Sequence, residues 1–269
     1  MCAIIGWNGK MPTGLLYQLL HAAEHRGRDS TGLAYWDDEH KQNFLVKHAI
    51  TASLFTKVNA EFINVAQKSI RGIAHTRRAS PKMPINNDNA HPFLYESYVF
   101  AHNGTVKNWR ELQKATVEKL EKLVKDDPKL KGKLVYLKGI TTDSMILGPA
   151  IEALNFTPAV GALGLVWLYA DRVFAFHSKK ELTAANVQWN YEGSKENHTV
   201  TVVASTWEII DIALHSLKNV QFDAVESLLN ENTLYELKVG EVVDSGPVPV
   251  NKANEIDQFT SKVDENVES

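Results

Sequence analysis

Cys2, the only cysteine of the chain, directly follows Met1. If Met1 is removed, Cys2 carries both a thiol and a free α-amine. An amine that titrates near ~8 can accept the proton of a thiol whose ordinary pKa is ~8.5, so one residue would supply a nucleophile and its base. The alternative is that Cys2 is a small apolar residue at the start of a buried strand, since an apolar run follows it.

The pair Asn103-Gly104 ends another apolar run, 98–101. A side-chain amide N–H and the backbone N–H of a glycine can bind one oxygen together, as the intermediate of acyl transfer requires. Asn-Gly is also the commonest dipeptide of tight turns, and this alternative stays open.

Two charged residues are candidates for ligand binding. Arg77 lies just beyond the buried strand pattern at 70–74, where a guanidinium can hold a carboxylate through two hydrogen bonds. Asp143 precedes a helix that we expect to begin near Met145. Capping of that helix is the alternative role for Asp143, and the two roles are compatible.

The elements that position these residues are read from apolar periodicity. Leucines at helical spacing after Pro12 predict a helix that stops by Gly27. The charged stretch 106–138 is helical in pattern, and another helix is expected near 206–217. Further strands are expected at 162–169, 172–176, 199–205, 234–237 and 241–243.

Composition limits the classes of function. The chain has 269 residues, 44% of them hydrophobic, and a formal net charge of −3, which argues against nucleic acid or an anionic membrane as partner. No segment approaches the roughly 20 apolar residues of a membrane span. A single cysteine and the absence of a leader pattern predict a cytoplasmic protein. We expect one domain over residues 1–250 and a mobile acidic tail over 251–269.

The segment His21-Ala-Ala-Glu-His25 matches the H-x-x-E-H pattern of one class of zinc peptidases. A third ligand at a recognisable spacing is missing, so we interpret the two histidines as exposed residues of a helical turn. No metal and no cofactor are expected.

Six segments in order resemble the class II glutamine amidotransferases, most closely the glutaminase domain of glucosamine-6-phosphate synthase. They are Cys2-Ala-Ile-Ile-Gly, His25-Arg-Gly-Arg-Asp-Ser-Thr-Gly32, Ala74-His-Thr-Arg77, Asn89-Ala-His-Pro92, Ala101-His-Asn-Gly104 and Thr142-Asp143. The resemblance extends over roughly residues 1–245. It implies an α+β N-terminal-nucleophile fold, a four-layer αββα sandwich of two antiparallel sheets.

The resemblance also implies roles for single residues. Cys2 would form a γ-glutamyl thioester with glutamine, Asn103 and Gly104 would form the oxyanion hole, and Arg26 would orient the amino-terminal residue. The remaining matched residues would bind the substrate, with Arg77 on the α-carboxylate and Asp143 on the α-ammonium of glutamine, together with His91 and Thr76.

The expected activity is that of a free-standing glutaminase that supplies ammonia to a separate synthase subunit, because no acceptor domain follows in the sequence. One alternative is a hydrolase of γ-glutamyl peptides or other small amides with the same fold. Another is an interaction module without turnover, favoured by Arg78 and Pro81, where the related synthases carry other residues. Release of glutamate from glutamine and from γ-glutamyl dipeptides distinguishes the three.

Overall fold

The computed structural model describes residues 1–81, 83–153, 159 and 161–248. The expected acidic tail, 251–269, lies outside the described residues, as does the expected boundary at 250. The strands form two sheets in which every strand pair is antiparallel over the described residues.

The first sheet has seven strands in the order β11-β9-β10-β1-β4-β2-β3. Their bounds are β1 Ala3–Gly9, β2 Ser30–Asp37, β3 Gln42–His48, β4 Arg71–Arg77, β9 Thr183–Tyr191, β10 His198–Ala204 and β11 Val220–Leu228. The second sheet has six strands in the order β13-β12-β8-β7-β6-β5. Their bounds are β5 Phe93–Tyr95, β6 Tyr98–Val106, β7 Gly161–Tyr169, β8 Arg172–Ser178, β12 Thr233–Lys238 and β13 Glu241–Pro247.

Helices cover the outer face of each sheet. Those on the seven-stranded sheet are α1 Leu15–Glu24, α2 Ala52–Val58, α3 Ala60–Lys68 and α7 Trp207–His215. Those on the six-stranded sheet are α4 Trp109–Leu123, α5 Lys131–Lys138 and α6 Leu147–Ala153, with short 3-10 turns at Pro128–Leu130 and Asp143–Ile146. The expected four-layer αββα sandwich is therefore confirmed. None of the described helices combines the length and the apolar character that a membrane span needs.

Strand β1 lies at the centre of the first sheet because both of its faces are apolar. Ile5 and Trp7 pack towards the helices, while Ile4 packs against the second sheet. On one side β1 pairs with β4, and on the other with β10. Cys2 directly precedes β1, so the candidate nucleophile stands at one end of a strand that is buried along its whole length.

The predicted elements differ from the structure in several places. The helical stretch 106–138 is divided by the 3-10 turn between α4 and α5. Strands β5, β9 and β11 were not predicted. The helix expected near Met145 begins at Leu147, after a 3-10 turn. Capping by Asp143 is wrong, because its carboxylate accepts a hydrogen bond from the backbone N–H of Val106 instead, at 2.8 Å.

Candidate active site

The thiol of Cys2 is half-buried and touches the backbone of the segment that follows β4. Its Sγ accepts a hydrogen bond from the N–H of Arg78 at 3.3 Å and lies 3.5 Å from the carbonyl oxygen of the same residue. Burial raises the pKa of the Cys2 thiol. The Arg78 N–H and the charges of Arg77, the amino terminus and Arg26 oppose that rise without cancelling it. The thiol is therefore protonated at neutral pH and needs a base before it can attack.

Two predicted catalytic side chains hold the backbone of the nucleophile. The carbonyl oxygen of Cys2 accepts a hydrogen bond from Nε of Arg26 at 3.0 Å and another from Nδ2 of Asn103 at 3.1 Å. Arg26 reaches this position because the turn after α1 lies directly against β4. A methyl group on Gly27 would come within 2.5 Å of the carbonyl carbon of Arg77, so only glycine fits there.

Asn103 is fixed by contacts on both ends of its amide. Its Nδ2 also donates to Oγ of Ser205 at 2.8 Å, and its Oδ1 lies 3.1 Å from Nε2 of His75. Burial lowers the pKa of His75 to about 3, so the ring is neutral, and Nε2 is the protonated nitrogen that donates to Oδ1. Ser205 Oγ additionally accepts the N–H of Ile4 at 2.8 Å.

Ser205 was not among the residues predicted for the site. It ends the strand expected at 199–205, and its partners lie 102 and 201 positions away in the chain. No local sequence pattern predicts contacts between residues so far apart in the chain.

Gly104 follows with a φ of 125°, a conformation that side-chain-bearing residues rarely adopt. A methyl group on Gly104 would come within 1.8 Å of the carbonyl oxygen of Ala162 on β7. Glycine is therefore required, and Asn103-Gly104 belongs to a strand rather than to a tight turn.

The cavity beside the thiol, called here the Cys2 cavity, has a volume of about 410 Å³. It brings together all four predicted catalytic residues, Cys2, Arg26, Asn103 and Gly104. Its other lining residues are Met1, Arg78, Ser80, Thr105, Lys107, Ala162 and Lys180.

A second cavity of about 200 Å³ adjoins the first and contains Asp143. The two share Ser80, Thr105 and Lys107 in their walls. A ligand attached at Cys2 can therefore extend towards the carboxylate of Asp143.

Arg77, at the end of β4, is buried and lines neither cavity. Its Nη1 has no hydrogen-bond partner among the described residues. The guanidinium is near enough to the Cys2 thiol to lower the pKa of that group. An unpaired buried cation is costly, so Arg77 is available to an anionic ligand beside the nucleophile.

The structure does not bring the side chains of the other two predicted substrate-binding residues into either cavity. The hydroxyl of Thr76 donates to the carbonyl of Ala23 at 2.9 Å, on the helix side of the first sheet. His91 is buried with its ring centroid 4.2 Å from that of His75. Burial and the charges around it lower the pKa of His91 well below its ordinary value.

The residues of the zinc-peptidase pattern make other contacts. His21 Nε2 lies 2.9 Å from Oγ1 of Thr56, and one carboxylate oxygen of Glu24 accepts both the N–H and the hydroxyl of Ser53. In the described part of the chain, no group of three or more His, Cys, Asp or Glu residues is arranged to hold a metal.

Residues 1–121 match the family model of class II glutamine amidotransferases. The chain is similar to the glutamine–fructose-6-phosphate aminotransferase (isomerizing) of Francisella tularensis, with 37% identity over 119 residues, 44% of this chain and 19% of that protein. It is similarly related to the enzyme of that name from Bradyrhizobium diazoefficiens, with 36% identity over 123 residues, 45% of this chain and 19% of that protein. The match thus spans about a fifth of the length of these relatives, and the family resemblance seen in the motifs is confirmed.

Solved structures agree in fold. The glutamine phosphoribosylpyrophosphate amidotransferase of B. subtilis, complexed with ADP and GMP, gives a TM-score of 0.59 at 17% identity over 91% of this chain and 49% of that one. A structure described as the allosteric regulatory enzyme of purine biosynthesis gives 0.56 at 17% identity, with the same coverage. At such identity the likeness concerns the fold alone, and it confirms the N-terminal-nucleophile architecture.

Proposed function

We propose that this protein hydrolyses glutamine to glutamate and ammonia through a γ-glutamyl thioester on Cys2, because residues 1–121 match the family model of class II glutamine amidotransferases. The observation that supports this most strongly is the set of contacts around the nucleophile. A lone thiol opens onto a cavity that Asn103 and Gly104 also line, while Arg26 and Asn103 hold the carbonyl of the same residue.

The reaction requires a free α-amine on Cys2, and therefore removal of Met1. That amine takes the thiol proton, and the sulfur attacks the γ-carbonyl carbon of glutamine. The carbon–nitrogen bond then breaks, the nitrogen leaves as ammonia with the proton returned by the amine, and a thioester remains. Water, deprotonated by the same amine, attacks the thioester to release glutamate and restore the thiol. Removal of Met1 also widens the Cys2 cavity, since Met1 lines it.

The oxyanion of each step is stabilised by Asn103 Nδ2 and the backbone N–H of Gly104. In the free protein Nδ2 donates to the carbonyl of Cys2 at 3.1 Å. Transfer of this hydrogen bond from the carbonyl to the oxyanion strengthens it as negative charge develops, while Ser205 and His75 keep the amide in place. Arg77 binds the α-carboxylate of glutamine, and Asp143 binds its α-ammonium.

We further propose that a separate synthase chain receives the ammonia and that the pair acts in the cytoplasm, where a reducing environment keeps the Cys2 thiol free. Native-host protein purified under mild conditions should contain a second enzyme, and free ammonia per glutamate should fall in that preparation. One ammonia released per glutamate in every native preparation contradicts this part of the proposal.

The primary test measures glutamate release from glutamine together with the intact mass of the protein. Active protein should lack Met1, and a form with a residue retained ahead of Cys2 should show only a trace of the activity. Asn103→Ala should lower kcat by roughly 10²–10³ with little change in KM, as for other oxyanion donors. If the extended form is as active as the processed one, the α-amine is not the base and the mechanism is wrong.

A further inference from the structure

The Cys2 cavity is lined by more positive charge than the proposed binding of glutamine requires. Four cationic side chains line it, and no carboxylate of the described residues does; the four are Arg26, Arg78, Lys107 and Lys180. The chain as a whole has 32 acidic residues against 29 lysines and arginines, so its composition does not produce this excess. The cavity is thus suited to an anion.

Three of these cations have no ion-pair partner among the described residues. Arg26 is engaged with the carbonyl of Cys2, whereas Arg78, Lys107 and Lys180 form no ion pair with any described residue. Other lysines of the molecule are paired at short range, for example Lys133 with Glu152 at 2.6 Å. Lys180 is also half-buried, so its position beside the nucleophile is not that of a freely solvated surface lysine.

Two of these cations, Arg78 and Lys180, line only the Cys2 cavity, and we call the part that they line its cationic end. Lys107 lines both cavities, and Asp143 lines the second one only. The stem of Lys180 lies beside Asn103, since a methyl group on Gly164 would be 3.3 Å from Cβ of Lys180 and 3.7 Å from Cβ of Asn103. For a γ-glutamyl group whose α-ammonium is bound by Asp143, the part of the Cys2 cavity left for the leaving amine is therefore the part lined by Arg78 and Lys180.

We propose that this cationic end binds an anionic group on the leaving amine, and that the protein therefore also cleaves γ-glutamyl amino acids with a free carboxylate. The inference rests on the proposed function, because it uses the same thioester on Cys2. The bond between the γ-carbon and the leaving nitrogen breaks, the nitrogen takes the proton from the Cys2 amine, and a free amino acid leaves in place of ammonia. Water then releases glutamate from the thioester.

The test compares γ-glutamylglycine with its carboxamide, which differs only in the charge of the leaving group. The parent protein should show a ratio of kcat/KM between the two substrates that favours the carboxylate. Lys180→Gln should reduce this ratio by roughly 2–5-fold, as expected for a partly exposed charge pair. Lys180→Glu should reverse the preference. The ratio should also fall as salt is raised, because these charges are accessible to ions.

The matched control is Lys57→Gln, an exposed lysine on α2, in the helix layer outside the first sheet. It should keep the parent ratio. Equal kcat/KM for the two substrates in the parent protein overturns the anion subsite. So does a fall in the kcat/KM ratio for Lys57→Gln as large as that for Lys180→Gln. Neither result contradicts glutamine hydrolysis.

A binding experiment separates failure of this inference from failure of the proposed function. In Cys2→Ala no thioester forms, and calorimetry reports the Kd of each substrate directly. Tighter binding of γ-glutamylglycine than of its carboxamide supports the subsite even if no substrate is turned over. Equal Kd values overturn it even if glutamine is hydrolysed.

Discussion

Replacement of Ser205 by alanine tests how Asn103 is held. Ser205 is buried directly after β10, and its hydroxyl oxygen is the acceptor for two donors, the N–H of Ile4 and Nδ2 of Asn103, each at 2.8 Å. Alanine removes the acceptor and leaves both donors without this partner. The substitution therefore affects the start of β1 and the oxyanion donor together.

The magnitude follows from the cost of an unsatisfied buried donor, about 1–3 kcal/mol. Because Nδ2 of Asn103 keeps its bond to the carbonyl of Cys2, we expect the free energy of unfolding to fall by about 3 kcal/mol in total. In a protein of this size that corresponds to a fall in Tm of roughly 6–12 °C. Loss of one anchor on Asn103 should also reduce kcat by roughly 10-fold, less than complete removal of the donor.

Ser30→Ala is the matched control. Ser30 is also buried, opposite Arg77 in the pairing of β2 with β4, but its hydroxyl has no hydrogen-bond partner among the described residues. Its removal should change the free energy of unfolding by no more than ~0.5 kcal/mol. Thermal unfolding and glutamine kinetics of the two variants measure both effects. Equal Tm values for Ser205→Ala and Ser30→Ala would refute the reasoning.

The remaining predictions concern Arg77 and the buried histidines. Arg77→Lys should raise the KM for glutamine more than it lowers kcat, with a loss of about 30–150-fold in kcat/KM, since lysine cannot form two parallel hydrogen bonds to a carboxylate. Unchanged kinetics would exclude Arg77 as the residue that binds the α-carboxylate. His75 and His91 are neutral in the folded state because burial lowers the pKa of each, His75 to about 3, while the unfolded chain binds their protons near pH 6.5. Stability should therefore be complete above pH 6.5 and fall below it by about 1.4 kcal/mol per pH unit for each histidine, as measured by urea titration. A flat stability between pH 6 and 5 would contradict this.

The sequence predicts the strands around the site well because they are enclosed. Strands β1 and β7 are nearly continuous apolar runs between packed layers, and β4 and β6 each contain a shorter one before their polar residues. Such runs indicate buried strands. Strand β11 was missed because its alternation is short. Partly buried apolar positions alternate with exposed polar ones only over its first five residues, and the exposed Val225 and Leu228 break the pattern in the rest of this edge strand.

The residue types of the candidate site could be predicted, but not their mutual contacts. Cys2 and Ser205 lie at the ends of two strands of the first sheet, whereas Asn103 lies within β6 of the second, and the hydrogen bonds between them depend on how the sheets stack. The positive charge of the Cys2 cavity likewise depends on the fold. Arg78, Lys107 and Lys180 follow three different strands, and each alone resembles an ordinary surface charge.

The alternation of side chains along β4 explains why the side chain of Thr76 lies away from the candidate site. On β4, Ile73 packs between the two sheets and Ala74 packs towards the helices. Side chains alternate along a strand, so His75 and Arg77 share the face of Ile73, and Thr76 shares the face of Ala74. The hydroxyl of Thr76 is accordingly bound to Ala23 of α1, while His75 contacts Asn103. Because Cys2 shares its cavity with Asn103 of the second sheet, the candidate site lies on the inter-sheet side, and a Thr76 contribution to substrate binding would have to come from its backbone, which Thr76→Val leaves intact.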